Sequence, residues 1–140
     1  MLRLLTQLLL VGVALSFTAL GGGRPARSLF LVDLDRGSPG FRETVGADDA
    51  YVVVDCYATW CGPCKLAAKT FQQVAAEMEN SRLRFIKVNT EEHEHTVDDF
   101  GLKGLPVFAV FKDGKLLVKH EGNLGKAALV DFIRRGVPDI

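Results

Sequence analysis

The sequence has no excess of charge of either sign. Seventeen Lys and Arg stand against seventeen Asp and Glu in 140 residues, so nothing in the total supports the basic footprint that nucleic-acid binding needs. Length for a second catalytic domain is also missing, because one domain with its own core takes roughly 100 to 150 residues. There are no internal repeats and no low-complexity segment. Acidic residues are absent from positions 1–32, which hold Arg3, Arg24 and Arg27. The other 108 residues therefore carry fourteen basic and all seventeen acidic groups, a net charge of −3, and compose an ordinary, mildly acidic soluble domain.

A long apolar run is missing too. Residues 1–3 supply a positive start through Arg3, residues 4–17 are almost wholly apolar but interrupted by Thr6 and Gln7, and Gly21-Gly22-Gly23 ends the stretch. That falls short of the ~20 residues that span a bilayer. With small residues at Ala14-Leu15-Ser16, the segment reads as a cleavable signal peptide, a permanent anchor being the competing reading. Beyond Ser16 the acid-free stretch with Thr18, Arg24, Arg27 and Ser28 has the composition of a transit peptide. The pair resembles the bipartite leaders of proteins sent through the secretory route into complex plastids. A plain secretory signal accounts for the same residues. The expected boundaries are a leader over 1–28 and a folded domain over 29–140, with no membrane contact in the mature form.

The body has a legible order. Residues 29–32 and 51–57 are apolar runs of strand type, and Val52-Val53-Val54 is hydrophobic on both parities, as in a strand covered on both faces. Over 64–80 the residues Ala67, Phe71, Val74, Ala75 and Met78 recur with helical spacing. Residues 83–88 make a further strand and 91–100 an acidic helix. A hairpin over 107–111 and 116–119 turns at Asp113-Gly114, which tolerate positive φ. A last helix over 126–135 has Gly136 as its stop. The order βαβαβαββα predicts an α/β fold, a mixed sheet with helices on both faces.

The cysteines are Cys56, Cys61 and Cys64, the last two in Trp60-Cys61-Gly62-Pro63-Cys64-Lys65 between a strand and a helix. Cys61 falls at the exposed helix start, where unpaired backbone N–H groups favour a thiolate. Cys64 is one turn on, within reach of the same sulfur. Pro63 suits a first turn, where its missing N–H costs no hydrogen bond. Half a zinc site is the bland alternative, but there is no second CxxC. His93 and His95 point different ways on a helix, and His120 stands alone. His93 and His95, among Glu91, Glu92 and Glu94, read as a solvated surface. Cys56 reads as a small buried hydrophobe facing away from Asp55. Asp55 is a carboxyl in an apolar strand behind the cysteine turn, where desolvation should raise its pKa. Lys87 is its expected charge partner.

Val54-Asp55, the Trp60 to Lys65 motif, Lys87, Gly104-Leu105-Pro106 and Glu121-Gly122 together resemble the thioredoxin family across about residues 29–137. The resemblance implies a thioredoxin fold and a thiol–disulfide oxidoreductase that reduces partner-protein disulfides through the Cys61/Cys64 dithiol, with no cofactor and no metal. It implies catalytic roles for Cys61, Cys64, Asp55 and Lys87, and a cis-proline at Pro106. It also implies a docking surface of Trp60, Gly62, Pro63, Gly104, Leu105, Pro106 and Gly122. The implied partners are disulfide-bearing proteins and a thioredoxin reductase, flavin- or ferredoxin-linked, serving a monomer. Val107 departs from the usual Thr after the cis-proline, Lys69 from a frequent helix proline and Tyr57 from a frequent Trp. Asn89-Thr90-Glu91-Glu92 looks somewhat like plastid members of the z or y kind. A binding module with dispensable redox activity is the alternative expectation.

Overall fold

A computed structural model describes residues 32–34, 40–46, 49–78, 80–94, 98, 100–138 and 140. The elements are β1 (Val32–Leu34), α1 (Phe41–Gly46), β2 (Tyr51–Tyr57), α2 (Gly62–Glu77), β3 (Leu83–Asn89), β4 (Val107–Lys112), β5 (Lys115–Glu121) and α3 (Lys126–Gly136). One five-stranded sheet runs β1-β3-β2-β4-β5. β1 and β2 pair parallel with β3, β4 pairs antiparallel with β2, and β5 closes the hairpin. The mixed α/β sheet is therefore the one the element order implies.

β2 sits in the middle, and its two parities feed two cores. Val53, Phe85, Phe108 and Val110 meet Phe71 and Val74 of α2 and Leu129, Phe132 and Ile133 of α3. Val52, Val54, Ile86 and Phe111 meet Phe41 and Val45 of α1 on the opposite face. There Phe41, Phe100 and Phe111 form an edge-to-face trio with centroids 5.2, 5.3 and 4.8 Å apart, the arrangement ring quadrupoles prefer. In the hairpin Asp113 and Gly114 take φ of 51° and 75°, the pair of positive values a two-residue turn needs to follow strand twist.

Several expectations shift. β1 includes Val32 and runs on to Leu34, past the end of the strand expected over 29–32, and residues 29–31 lie outside the described residues. Residues 91–94 form turns rather than helix, because Asn89 directs them: its side chain accepts the Glu91 N–H at 3.1 Å and its carbonyl the N–H groups of Glu92 and His93. Positions 95–97 and 99 of that expected helix lie outside the described residues.

Gly136 does not stop α3 by a left-handed turn. It is the helix's last residue, and the cap is Val137 in extended conformation at φ −127°. The glycine is there for space: a Cβ at 136 would lie 2.7 Å from Val118 Cγ2 and 3.0 Å from Val110 Cβ. Gly136→Ala is therefore expected to force α3 off the sheet and cost about 1–3 kcal/mol by overpacking, read as a lower urea midpoint at unchanged slope. An unshifted midpoint would show that the contact relaxes freely.

Candidate active site

β2 delivers the chain to one end of the sheet, and a tight turn redirects it into α2. Ala58-Thr59-Trp60-Cys61 is that turn, closed by the Cys61 N–H donating to the Ala58 carbonyl at 3.2 Å. Cys61 is the N-cap of α2 in extended conformation, and its Sγ accepts the Cys64 N–H at 3.3 Å. A sulfur here faces the unpaired amides and positive pole of a sixteen-residue helix, an environment that favours thiolate over thiol. Pro63 occupies the first turn, as its missing N–H allows. Cys61 and Cys64 are joined as a disulfide with Cα atoms 5.4 Å apart.

The expected difference in exposure between the two cysteines is corrected. Cys61 is 4% and Cys64 3% exposed, both covered by Ala58 with Tyr57 and Leu105 packed alongside. The turn that brings Cys61 to the helix terminus also folds its side chain inward against these residues. What distinguishes the sulfurs is their place relative to the terminus: Cys61 caps it and Cys64 lies inside the first turn.

Around the disulfide the surface is open. Trp60 is 74% exposed, and Gly62, Pro63 and Gly104 are exposed as well. The Leu105-Pro106 bond is cis, Pro106 is buried, and its carbonyl accepts the Gly122 N–H at 2.8 Å. Gly122 has φ +99°, a backbone that side-chain-bearing residues rarely adopt. It ends β5 opposite the start of β4, where Val107 pairs with Glu121. Val107 itself is fully buried on the α1 face.

Asp55 is fully buried and stands opposite Lys87 across the parallel β2–β3 ladder. The Lys87 ammonium lies 4.3 Å from the centre of the Tyr57 ring, a cation–π contact that the Tyr57 departure still permits. Cys56 points to the other face, among Val52, Val54, Ile86 and Val107. Burial, and secondarily the Asp55 charge, push the Cys56 thiol well above its ordinary range, so it stays protonated at neutral pH and is no nucleophile. Among the described residues no group of three or more His, Cys, Asp and Glu could hold a metal.

Thr90 and Glu91, which the sequence offers only as part of a family-like motif and an acidic surface, also belong to the site. Glu91 Oε2 accepts both the backbone N–H and the hydroxyl of Thr59, each at 2.6 Å. Thr90 donates its N–H and hydroxyl to the Tyr57 carbonyl at 2.9 and 3.1 Å. These partners are more than thirty positions apart, beyond any periodic pattern. The Thr59 hydroxyl and then its amide hold the Glu91 carboxyl below its ordinary value of 4.5, desolvation opposing them slightly. A carboxyl depressed in the folded state contributes above its ordinary value and loses that contribution as pH falls through the lower folded one. An NMR titration is expected to show Glu91 inflecting below 4.5 together with the Thr59 amide. Independent inflections would mean that the two are not bonded in solution.

Residues 34–135 match the family model described as Thioredoxin. The thioredoxin of Pseudomonas aeruginosa is 36% identical over 93 residues, 66% of this chain and 85% of that one. The "Thioredoxin Y2, chloroplastic" of Arabidopsis thaliana is 34% identical over 97 residues, 69% of this chain and 58% of its own length. Among solved structures, the Malassezia sympodialis thioredoxin Mala s 13 matches with a TM-score of 0.64 at 24% identity. That match covers 76% of this chain and 91% of the other, and it shows the fold.

Proposed function

The chain belongs to the thioredoxin family, and from that premise we propose that Cys61 attacks and Cys64 resolves. The activity is thiol–disulfide exchange by a thioredoxin-type disulfide reductase; its substrates are protein disulfides, and a reductase returns the electrons. The observation that carries the assignment is the Cys61–Cys64 disulfide formed at the α2 N-terminus.

The Cys61 thiolate bonds to one sulfur of a partner disulfide, the partner's S–S bond breaks, and its second sulfur leaves and takes a proton. Cys64 then gives its proton to the Asp55 carboxylate and attacks Cys61 Sγ. The mixed disulfide breaks, and the partner's remaining sulfur departs as a thiolate that takes a proton from water. Two electrons have passed to the partner, and the product is the Cys61–Cys64 disulfide. Asp55 serves as proton acceptor, and Lys87 on the neighbouring strand steadies its charge. Trp60, Gly62, Pro63, Gly104, Leu105, Pro106 and Gly122 form the docking surface. Its support is the open ground around the disulfide and the absence of an N–H at Pro106, which removes a competing donor.

Insulin reduction by the full chain with dithiothreitol supplied is the test: catalysed precipitation is expected. No catalysis, with a stable protein partner co-purifying, would replace the reading with that of a binding module.

The domain over 29–140 works as a monomer in a plastid, delivered by the leader over 1–28, with a ferredoxin- or flavin-linked thioredoxin reductase as donor. The acid-free composition of that leader supports this destination, as does the likeness to a chloroplastic relative. A fluorescent reporter fused to residues 1–40 should enter plastids, and secretion of the reporter would overturn the assignment.

A further inference from the structure

We propose that Glu91 is a positioning residue whose carboxylate clamps Thr59, and through it sets Trp60 and Cys61 for the incoming partner strand. This rests on Trp60 belonging to the docking surface.

The turn leading into the disulfide has Ala58 and Cys61 at its ends, with Thr59 and Trp60 as its central pair. A central turn residue determines the direction of the next one. Trp60, 74% exposed, has little packing to orient its ring, so its aim is inherited from the backbone at Thr59. That backbone is held by one carboxylate oxygen, which takes both the Thr59 N–H and its hydroxyl at 2.6 Å. Such short, charge-assisted bonds are stronger than neutral ones.

Glu91 is itself held. Its N–H donates to Asn89 Oδ1 at 3.1 Å, and the adjacent Thr90 grips the Tyr57 carbonyl with two donors. Residues 89–91 thus strap residues 57–59 at two points, one residue short of Trp60. Glu91 is exposed, so its bonds add little to global stability. Their effect is local order, which is what productive encounter with a partner disulfide requires.

Trp60 is the single tryptophan of the chain, so its fluorescence reports this turn alone. In the full-length protein, Glu91→Ala is expected to lower Trp60 steady-state anisotropy and raise the KM for insulin about threefold to tenfold, because loss of the two exposed bonds reaches docking only through the turn and so carries about the net effect of one ordinary hydrogen bond. The change should fall on KM more than on kcat, with the urea midpoint nearly unmoved. Glu91→Gln should restore both readouts, because its amide oxygen can accept the same two donors. Thr59→Val, which keeps only the amide donor, should lie between.

Unchanged anisotropy and KM in Glu91→Ala would overturn the clamp. So would a Glu91→Gln variant as impaired as Glu91→Ala, because the charge and not the tether would then be the cause. Trp60→Ala separates the two layers. If it raises the insulin KM while Glu91→Ala does not, the clamp alone falls. If it leaves KM unchanged, the docking surface falls, and the proposal with it.

Discussion

Cys61→Ser is expected to reduce insulin turnover to the level of dithiothreitol alone, while Cys64→Ser accumulates partner proteins as mixed disulfides. The loss should be one of chemistry and not of fold, because Ser is itself a favoured N-cap and its hydroxyl can accept the Cys64 N–H that Cys61 Sγ accepts now. With oxygen at 61 no thiolate remains at the helix terminus. Cys64, inside the first turn, lacks the same access to the terminal amides. With oxygen at 64 the first attack proceeds, but nothing displaces the partner from Cys61. The two sulfurs are about equally buried, so exposure alone would predict two similar variants. The helix terminus predicts opposite ones. Non-reducing electrophoresis of each variant incubated with a disulfide-bearing substrate decides it, and covalent capture by Cys61→Ser would reverse the roles.

Asp55→Asn is expected to stabilise the domain at pH 7 and to slow release of the reduced partner. Asp55 has no exposed surface, and an ionised carboxyl out of water carries a desolvation cost that Lys87, itself half-buried at the adjacent register position, offsets only in part. A neutral amide of the same shape avoids that cost. The sign in pH follows. If burial outweighs the Lys87 charge, the carboxyl binds its proton more tightly in the fold than in the unfolded chain, and wild-type stability falls as pH climbs from ~3.9, the unfolded value. Wild type and variant should converge in acid and diverge toward neutrality. Urea midpoints across that range test the stability effect, and single-turnover reduction at pH 7 tests the proton transfer. A destabilised Asn variant would show that the Lys87 pairing outweighs desolvation. An unchanged rate would leave Asp55 a structural residue only.

What was legible in the sequence is what neighbouring residues decide among themselves. Val52-Val53-Val54 declares a strand covered on both faces, and the spacing of Ala67, Phe71 and Val74 declares the buried side of α2. Asp113-Gly114 declares a hairpin, and Cys61-Gly62-Pro63-Cys64 at a strand–helix junction declares the chemistry. Each rests on side-chain period or turn geometry, which act over a few positions. α1 entered the expected order without a range, because six residues with Phe41 and Val45 as its apolar pair are too short to show a period. The equal burial of Cys61 and Cys64 and the grip of Glu91 on Thr59 were decided by tertiary structure. They join segments whose approach depends on sheet order and not on spacing along the chain. Gly136 shows the difference within one residue. A glycine at a helix end reads the same whether it turns the chain or makes room for it, and only the arrival of Val110 and Val118 against α3 settles that it makes room.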